Sequence, residues 1–388
     1  MLADEADSPR GRIQLIRQLV STDAPVDDGL SGHLEACLVC RACETACPSG
    51  VPFGRIMEGA REDLRERERP RRLARTIRRL GLATIADQRR LRVATRLLDL
   101  YVRSGAQRAV RASRLLPKRL RTMESLAMKA EGAPYVPVEH PDADAGFFAG
   151  CIMRTAFGET ERATVRMLER GGKRVTACPE QTCCGALHAH SGDGETAREL
   201  ARLNIDAFSG TEGPIVVNAA GCGAQLKAYG EVLAEDPAWV ERARAFSARV
   251  RDASQAVPPD AVQSRAPHAI RVVYQDACHL AHGQRIRREP RALLAAVSNV
   301  TIVPIADPER CCGSAGIYNL THPEVAGELQ RQKVAAILAT CPDIVVSANP
   351  GCILQVAAGL RAAGSDVPVV HLMRFLDDPS ASLGASRA

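Results

Sequence analysis

The passages CCGALHAHSG (183–192) and CCGSAGIYNLT (311–321) share an unusual Cys-Cys-Gly opening. Further landmarks repeat around them in the same order, namely Cys151 with Cys278 and Gly221-Cys222 with Gly351-Cys352. The three pairs of landmarks lie 127, 128 and 130 residues apart. Three landmarks at nearly one offset indicate a duplicated domain.

Each copy alternates Val/Ile-rich apolar runs with amphipathic segments, which predicts an α/β fold with a parallel sheet. In the first copy, GFFAGC (146–151) and PIVVNAAGC (214–222) are predicted strands, and ETERATVRMLERGG (159–172) is a predicted helix. The linking segment AWVERARAFSARVRDASQ (238–255) is predicted to be a connecting helix. The cysteines then fall at or just after the carboxyl ends of strands, where open α/β sheets bind ligands.

Eight cysteines at matching positions of the two copies are candidate metal ligands: Cys151, Cys183, Cys184, Cys222, Cys278, Cys311, Cys312 and Cys352. An adjacent pair cannot offer both thiolates to one tetrahedral ion without strain, but it can bridge a larger cluster. The alternative, that these are small buried hydrophobes, is weakened by the match between the copies. Cys178 and Cys341 lie outside the pattern and are predicted to have no ligand role. His279 and His282 could relay protons or ligate metal, although hydrogen-bonded histidines are commoner.

A third group of cysteines lies in CLVCRACETACP (37–48). Its spacing, C-x2-C-x2-C-x3-C-P, is the run with which bacterial ferredoxins hold cubane clusters. It predicts a [4Fe–4S] cluster with Cys37, Cys40, Cys43 and Cys47 as candidate ligands. Zinc is less well matched, because it usually takes two ligand pairs separated by a longer loop. In two-cluster ferredoxins the fourth cysteine serves the other cluster, so a single run leaves the role of Cys47 open.

The composition favours a cytoplasmic protein. Fourteen cysteines with two adjacent pairs favour metal ligation in a reducing compartment over a disulfide framework. The polar, acidic N-terminus lacks a secretory signal, and no run of eighteen apolar residues predicts a membrane span. Peripheral contact with the inner face of the membrane stays open.

A strongly basic segment separates the ferredoxin-like run from the repeats. From Arg61 to Arg121 there are twenty Lys/Arg against six Asp/Glu, a balance of +14 in a chain of net charge +6. Leu73, Ile77 and Leu80 recur at helical spacing, which predicts amphipathic helices with a solvated arginine face. The alternative is a docking surface for an acidic partner or for anionic lipid. Nucleic acid is not expected as a partner, since aromatic residues make up 3% of the chain and no recognition motif is present.

The motifs together resemble the iron–sulfur subunit of glycolate oxidase and, more broadly, the cysteine-rich (CCG) electron-transfer proteins related to heterodisulfide reductase. The resemblance is carried by CLVCRACETACPSGV, CCGALHAHSG, VNAAGCGAQLKAYG, DACHLAHGQ, CCGSAGIYNLT and NPGCILQVAAGL. It implies a separate FAD subunit that oxidises glycolate to glyoxylate, with this chain passing electrons onward to a membrane (quinone) or soluble acceptor. No G-x-G-x-x-G fingerprint follows a strand here, which agrees with a flavin on another chain.

Two departures from the family pattern affect these expectations. In the heterodisulfide reductase branch each repeat ends in C-x-x-C, whereas Gln225 and Gln355 stand at the last position here. Catalytic disulfide reduction is therefore not expected. The family also carries a first ferredoxin motif shortly before a passage like the one at residues 4–13, and this sequence begins at that passage. We expect the missing motif to be the partner of Cys47; otherwise Cys47 must close the single cluster itself.

The predicted organisation has four parts: a ferredoxin-like segment (1–60), a basic helical segment (61–132), and cysteine-rich repeats at 133–265 and 266–388. The predicted function is the electron-transfer subunit of a glycolate oxidase complex. A lactate or other 2-hydroxy-acid system, or a heterodisulfide-reductase-like complex, is the alternative within that class. A zinc-stabilised scaffold without a redox role is the alternative outside it.

Overall fold

The N-terminal third of the chain is helical. The computed structural model describes residues 4–21, 26–67, 72–113 and 116–384. The helices of this part are α1 (Pro9–Ser21), α2 (Asp28–Glu35), α3 (Ala42–Ala46), α4 (Phe53–Arg67), α5 (Arg72–Ala86), α6 (Gln88–Arg103), α7 (Ala106–Ser113) and α8 (Lys118–Ser125). The Ser8 hydroxyl accepts a hydrogen bond from the Gly11 N–H at 3.0 Å and so caps α1, where the sequence predicts a helix start.

The first repeat folds as a four-stranded parallel sheet in the order β2-β1-β3-β4. Its elements are β1 (Ala145–Phe148), α9 (Cys151–Ala156), α10 (Gly158–Arg170), β2 (Val175–Thr176), α11 (Ala186–His190), α12 (Gly194–Ala207), β3 (Ile215–Val217), α13 (Ala220–Lys227), α14 (Tyr229–Val232), α15 (Val240–Arg249) and β4 (Val250–Asp252). The side chains of β1 and β3 are fully buried, as expected for a parallel sheet covered on both faces.

The second repeat has the same topology, with the strand order β6-β5-β7-β8 and parallel pairing throughout. Its elements are α16 (Ala253–Ala256), β5 (Arg265–Gln275), a π-helical turn (His279–Gly283), α17 (Arg288–Ala296), β6 (Ser298–Ile302), α18 (Tyr318–Thr321), α19 (Pro323–Leu338), β7 (Ile344–Ser347), α20 (Pro350–Ala362), β8 (Val369–His371), α21 (Leu372–Asp377) and α22 (Pro379–Gly384). The duplication predicted from the cysteine landmarks is thus a duplication of a whole sheet.

Two edge strands depart from the sequence prediction. The segment 238–255 was expected to be one connecting helix, but it ends as β4, which pairs with β3. Its counterpart β8 completes the second sheet and was not predicted. Both strands are only three residues long, too short to give a period-2 signal.

The strand order places the cysteines. The central strands are β1 and β3 in the first sheet and β5 and β7 in the second. From one central strand the chain continues to one edge of the sheet, and from the other it continues to the opposite edge. The gap between the carboxyl ends of the two central strands is therefore a topological switch point. Cys151 and Cys222 follow the central strands of the first sheet, and Cys278 and Cys352 follow those of the second. The fold therefore delivers the outer cysteines of each repeat to the position where α/β sheets bind ligands.

The two repeats pack together through one core and meet at their switch points. Phe147 and Val216 lie in the core shared with the second sheet, whereas Phe148 lies in the first repeat's own core. The Ala220 N–H donates to the Ala348 carbonyl at 2.9 Å, across the two switch points. His371 contacts the Asn218 carbonyl at 2.8 Å through Nε2.

A buried carboxyl near this junction gives a prediction for stability. Glu161 is fully buried and accepts a hydrogen bond from Asn218 at 2.6 Å, and burial raises its pKa to about 8 from 4.5. Between those two pH values the unfolded chain ionises while the folded chain keeps the proton, so the free energy of unfolding falls by about 1.4 kcal/mol per pH unit. We expect Glu161→Gln to remove this fall, so its stability advantage over wild type grows as the pH rises. Urea unfolding of both proteins from about pH 5 to about pH 8 measures it; parallel curves would contradict the prediction.

Candidate metal centres

Three of the four cysteines in the ferredoxin-like run line one cavity. Cys37, Cys40 and Cys43 face a space of about 250 Å³. Phe53 of α4 and Leu329 of α19 also line it, so the wall is shared between the N-terminal helices and the second repeat. Three thiols around one apolar cavity fit a multi-iron cluster, which takes one thiolate at each of several irons.

The loop that carries these cysteines is held in an uncommon backbone conformation. Val39 and Arg41 have φ values of 51° and 61°, in the left-handed region. A β-branched residue is a rare occupant of that region, and such strain collects at functional sites. The Cys37 sulfur accepts a hydrogen bond from the Val39 N–H at 3.4 Å, so the loop wraps around its own first thiol.

Arg61 of α4 clamps this loop in place. Its guanidinium donates to the carbonyl oxygens of Leu34 (3.3 Å), Glu35 (3.1 Å), Cys37 (2.6 Å) and, in the first repeat, His190 (2.8 Å). One half-buried cation therefore satisfies the end of α2 and fixes the cysteine loop to the first repeat.

Burial disfavours ionisation of two of the cavity thiols, although Arg12 and Arg41 also line the cavity. Burial first, and then the nearby Cys278, raise the pKa of Cys40 to about 12. Burial first, and then Cys40, raise the pKa of Cys43 to about 11. Ionising several buried thiols together is unfavourable without a cation, and ligation of a metal supplies that cation and removes the protons.

Cys47 lies apart from the other three. It does not line the cavity, and hydrogen bonds from the backbone N–H groups of Val51 and Ser49 lower the pKa of its thiol. The structure thus brings together Cys37, Cys40 and Cys43 but not the fourth predicted ligand.

The four cysteines of the first repeat form a continuous row. The Cys151 thiol donates to the Cys183 sulfur at 3.7 Å. Cys184 contacts both Cys183 and Cys222 through its sulfur. Hydrogen bonds from Cys151 and Cys184 lower the pKa of Cys183.

The Cys-Cys-Gly loop of this row is positioned by its glycine and by two polar side chains. Gly185 has φ 84°, which L side chains rarely adopt. Asn204 of α12 donates to the Cys183 carbonyl at 2.9 Å, and the Tyr229 hydroxyl donates to the Cys184 carbonyl at 3.0 Å. Both cysteine carbonyls are therefore fixed, and the thiols are left to face one another.

The second repeat reproduces the row in the order Cys278, Cys311, Cys312 and Cys352. Gly313 has φ 90°, and a Cβ there would meet the Ala326 carbonyl oxygen at 2.4 Å. The Asn349 amide donates to the Cys352 sulfur at 3.4 Å, and its oxygen accepts from the Gly221 N–H at 3.1 Å. Because Gly221 precedes Cys222, Asn349 bridges the two rows.

Among the described residues, these rows are not accompanied by a site for a single metal ion. Within the described ranges, no three or more His, Cys, Asp or Glu side chains are arranged to hold one metal ion. The thiols instead run in rows or around a larger cavity, an arrangement that does not match a closed tetrahedral zinc site. Gln225 and Gln355, which replace a last cysteine, are buried, and Gln355 accepts a hydrogen bond from Asn319 at 3.0 Å.

The remaining candidate residues lie around the sites. Cys178 packs in the core of the first repeat, and Cys341 is exposed. His279 stacks on His190 with 5.2 Å between ring centroids, and His282 contacts the Thr45 hydroxyl at 3.0 Å. The two histidines proposed from the sequence therefore pack the second repeat against its neighbours, and burial lowers the pKa of His279 to about 3.

Sequence reasoning missed the residues that assemble the parts. Arg61 and His190 join the cysteine loop to the first repeat, and Tyr318 donates to the Ala36 carbonyl at 3.0 Å from the second. No local motif marks them, since their partners are backbone carbonyls distant in sequence. His190 and Tyr318 lie in the passages around the two Cys-Cys-Gly loops, and those passages were the one sequence signal that pointed to them.

Two Cys-Cys-Gly loops on matching parallel sheets, beside a ferredoxin-like cysteine loop, define a cysteine-rich iron–sulfur protein. The comparisons agree, because the cysteine-rich (CCG) domain family matches residues 145–227 and 272–357. The linker region of the glycolate oxidase iron–sulfur subunit matches residues 73–127. The chain belongs to the glycolate oxidase iron–sulfur subunit family.

Relatives matched over most of their length support that assignment. The chain is 38% identical to the probable glycolate oxidase iron-sulfur subunit of Bacillus subtilis, over 96% of this chain and 88% of the relative. It is 33% identical to the glycolate oxidase iron-sulfur subunit of Escherichia coli, over 94% and 87%. A lactate utilization protein A from Exiguobacterium is 28% identical over 60% of this chain and 96% of its own length. The chain is thus an iron–sulfur, electron-transfer subunit of the glycolate oxidase type.

Proposed function

We propose that the chain receives electrons from a separate FAD subunit that oxidises glycolate to glyoxylate, and passes them to a membrane or soluble acceptor. The names of the two glycolate oxidase subunits from Bacillus subtilis and Escherichia coli support glycolate as the substrate. The proposed ligands are Cys37, Cys40 and Cys43 for a [4Fe–4S] cluster, with the two rows as further iron–sulfur sites. Such clusters, when bound, supply one-electron chemistry, and the protein supplies their position and potential.

The observation that carries this proposal is the sequence of contacts between the three cysteine groups. Cys40 of the cavity lies close enough to Cys278 and Cys311 for their charges to act on one another. Cys352, at the other end of that row, reaches Cys222 of the first repeat through Asn349 and Gly221. We therefore propose that electrons pass from the cavity to the row of the second repeat and then to the row of the first repeat.

Anaerobic mixing tests the proposal. The chain, purified with its iron, is mixed with its flavin subunit and then with glycolate, and the visible absorbance and the electron paramagnetic resonance of the clusters are recorded. We expect glycolate to reduce the clusters only when the flavin subunit is present. Reduction of the flavin without reduction of the clusters would overturn the proposed role.

A lactate system is the second candidate, because the lactate utilization protein A relative is matched over nearly its full length. Substitution of lactate for glycolate in the same mixing experiment separates the two. Faster cluster reduction by lactate would favour the second candidate.

The helices of the linker region, residues 73–127, expose apolar side chains. Eight of the twelve exposed large apolar residues in the described part of the chain fall between Ile77 and Met123. On α6, Val93, Leu97 and Leu100 are spaced i, i+4 and i+7, so they form one outward stripe. Arg89 and Arg96, also exposed, flank this stripe.

We propose that this stripe docks peripherally on an anionic membrane surface at the inner face of the cytoplasmic membrane. No described helix is long and apolar enough to cross a bilayer. Aliphatic side chains flanked by arginine suit the headgroup boundary of anionic lipid. A protein interface would favour aromatic anchors, and Tyr101 is the one aromatic residue among residues 61–121.

The double variant Leu97→Ser/Leu100→Ser is expected to weaken binding to vesicles containing phosphatidylglycerol by about tenfold, because each exposed leucine loses its apolar burial. Wild-type binding should also fall steeply with salt, since exposed charges are screened within about 10 Å at 0.1 M. Leu203→Ser, at an exposed leucine outside the linker, is the control. Vesicle co-sedimentation measures both. Absence of vesicle binding, with salt-sensitive binding to the flavin subunit instead, would assign the stripe to the protein partner.

A further inference from the structure

A second cavity opens where the N-terminal helices, the linker and both repeats meet. Its volume is about 110 Å³. Helices α4, α5 and α11 and the segment around α18 contribute its walls. Cys37 lines this cavity as well as the one shared with Cys40 and Cys43, so a molecule here would lie against a proposed cluster ligand.

The charged groups of this second cavity are mostly cationic. Arg61, Arg65 and Arg78 line it, together with His190 and His322. Among the described lining residues, Glu35 is the single carboxylate, and it is exposed. Burial first, and then the nearby Arg78, lower the pKa of Arg65, which also pairs with Asp193 at 3.7 Å.

Two guanidinium nitrogens at this cavity have no partner. The Nε atoms of Arg61 and Arg78 are buried, and neither makes a hydrogen bond within the described residues. Arg61 as a whole is half-buried, and burial lowers its pKa. Buried N–H groups are usually paired, so these two residues of one cavity lining have donors free to bind an acceptor held there.

The other residues that line the cavity favour one kind of hydrogen-bond acceptor over another. Leu38, Leu64, Leu187 and Ile317 form an apolar side of the cavity. An inorganic anion gains nothing from that side, whereas an organic acid places its carbon atoms there. The volume lies below the roughly 300–1,000 Å³ of pockets for drug-sized ligands, so a flavin or a nucleotide does not fit.

We propose that this second cavity binds a small organic carboxylate, with its oxygens accepting from Arg61 and Arg78 and its carbon atoms against the leucines. Binding requires no electron transfer, so it stands or falls separately from the proposed function. If that function holds, an anion beside Cys37 would also oppose the arrival of an electron at the neighbouring cluster.

Isothermal titration of the full chain tests this inference. The probes are propionate and inorganic phosphate, each at constant ionic strength made up with chloride. We expect saturable binding of propionate, tighter than that of phosphate. Arg78→Gln should weaken it about tenfold, the loss of one charge-assisted hydrogen bond. Arg96→Gln, the same change at an exposed arginine of α6, should leave the affinity within about twofold.

Three results would overturn the inference: no saturable binding of propionate, equal losses in the two variants, or tighter binding of phosphate. The last would indicate an inorganic anion. Arg78→Lys guards against misfolding of the first variant, because it keeps the charge but loses the planar fork, and it should also bind more weakly. Circular dichroism of each variant confirms that the fold is intact.

Discussion

Replacing Cys40 by serine is expected to abolish electron flow from the flavin subunit and to remove the cluster proposed in the shared cavity. Cys40 is the most central of the three thiols, since it faces Cys37 and Cys43 in the cavity and Cys278 in the second repeat. A serine hydroxyl is a poor ligand for iron in such clusters, which take thiolates. The chain should lose about four iron atoms, and glycolate-driven reduction of the acceptor should fall at least about a hundredfold.

Two further variants make this result interpretable. Cys341→Ser changes an exposed cysteine outside every site and should keep both iron and rate. Cys47→Ser should keep the iron of the cavity, because Cys47 does not line it. Unchanged iron and rate in Cys40→Ser would contradict the site, whereas loss of the same iron in Cys47→Ser would show that Cys47 closes this cluster.

Arg61→Gln is expected to lower the free energy of unfolding by about 3 kcal/mol, and to release iron from the cavity. Four backbone carbonyls accept from this guanidinium, and glutamine can reach no more than one or two of them. Hydrogen bonds to a charged group contribute about 1.5–3 kcal/mol each, and carbonyls left buried without a donor add to the loss. Thermal and urea unfolding measure the loss of stability. The iron content after gel filtration measures the release of iron.

Arg17→Gln is the matched control, since Arg17 is exposed on the neighbouring helix α1. The free energy of unfolding of this variant should stay within about 0.5 kcal/mol of the wild-type value. A loss in Arg61→Gln no greater than in Arg17→Gln would mean that the clamp does not hold the cysteine loop.

The repeated sheet was predictable because its signals are local. The Cys-Cys-Gly loops, the Val/Ile-rich central strands and the glycine turns recur within each copy. The three-residue strands β4 and β8 carry no such pattern, and they form because β3 and β7 offer them an edge. The stripe on α6 has the spacing of a buried face, yet Leu97 lies outward, because spacing shows that residues share a face and not what covers it.

The candidate ligands were predictable, but their grouping was not. The ferredoxin spacing alone treats Cys37, Cys40, Cys43 and Cys47 as one set, and the separation of Cys47 depends on how residues 49–51 turn toward its sulfur. The approach of Cys40 to Cys278 joins residues more than two hundred positions apart, which no motif encodes. It follows from tertiary contacts such as that between Thr45 and His282.

Iron and acid-labile sulfide in the anaerobically purified chain test the central claim most directly. A cluster held by Cys37, Cys40 and Cys43 requires at least about four iron atoms and about four sulfides per chain, and clusters in the repeats would raise both. We expect the purified chain to contain less than a stoichiometric amount of zinc. Stoichiometric zinc without sulfide would contradict the account and would leave the cysteines as the ligands of a structural scaffold.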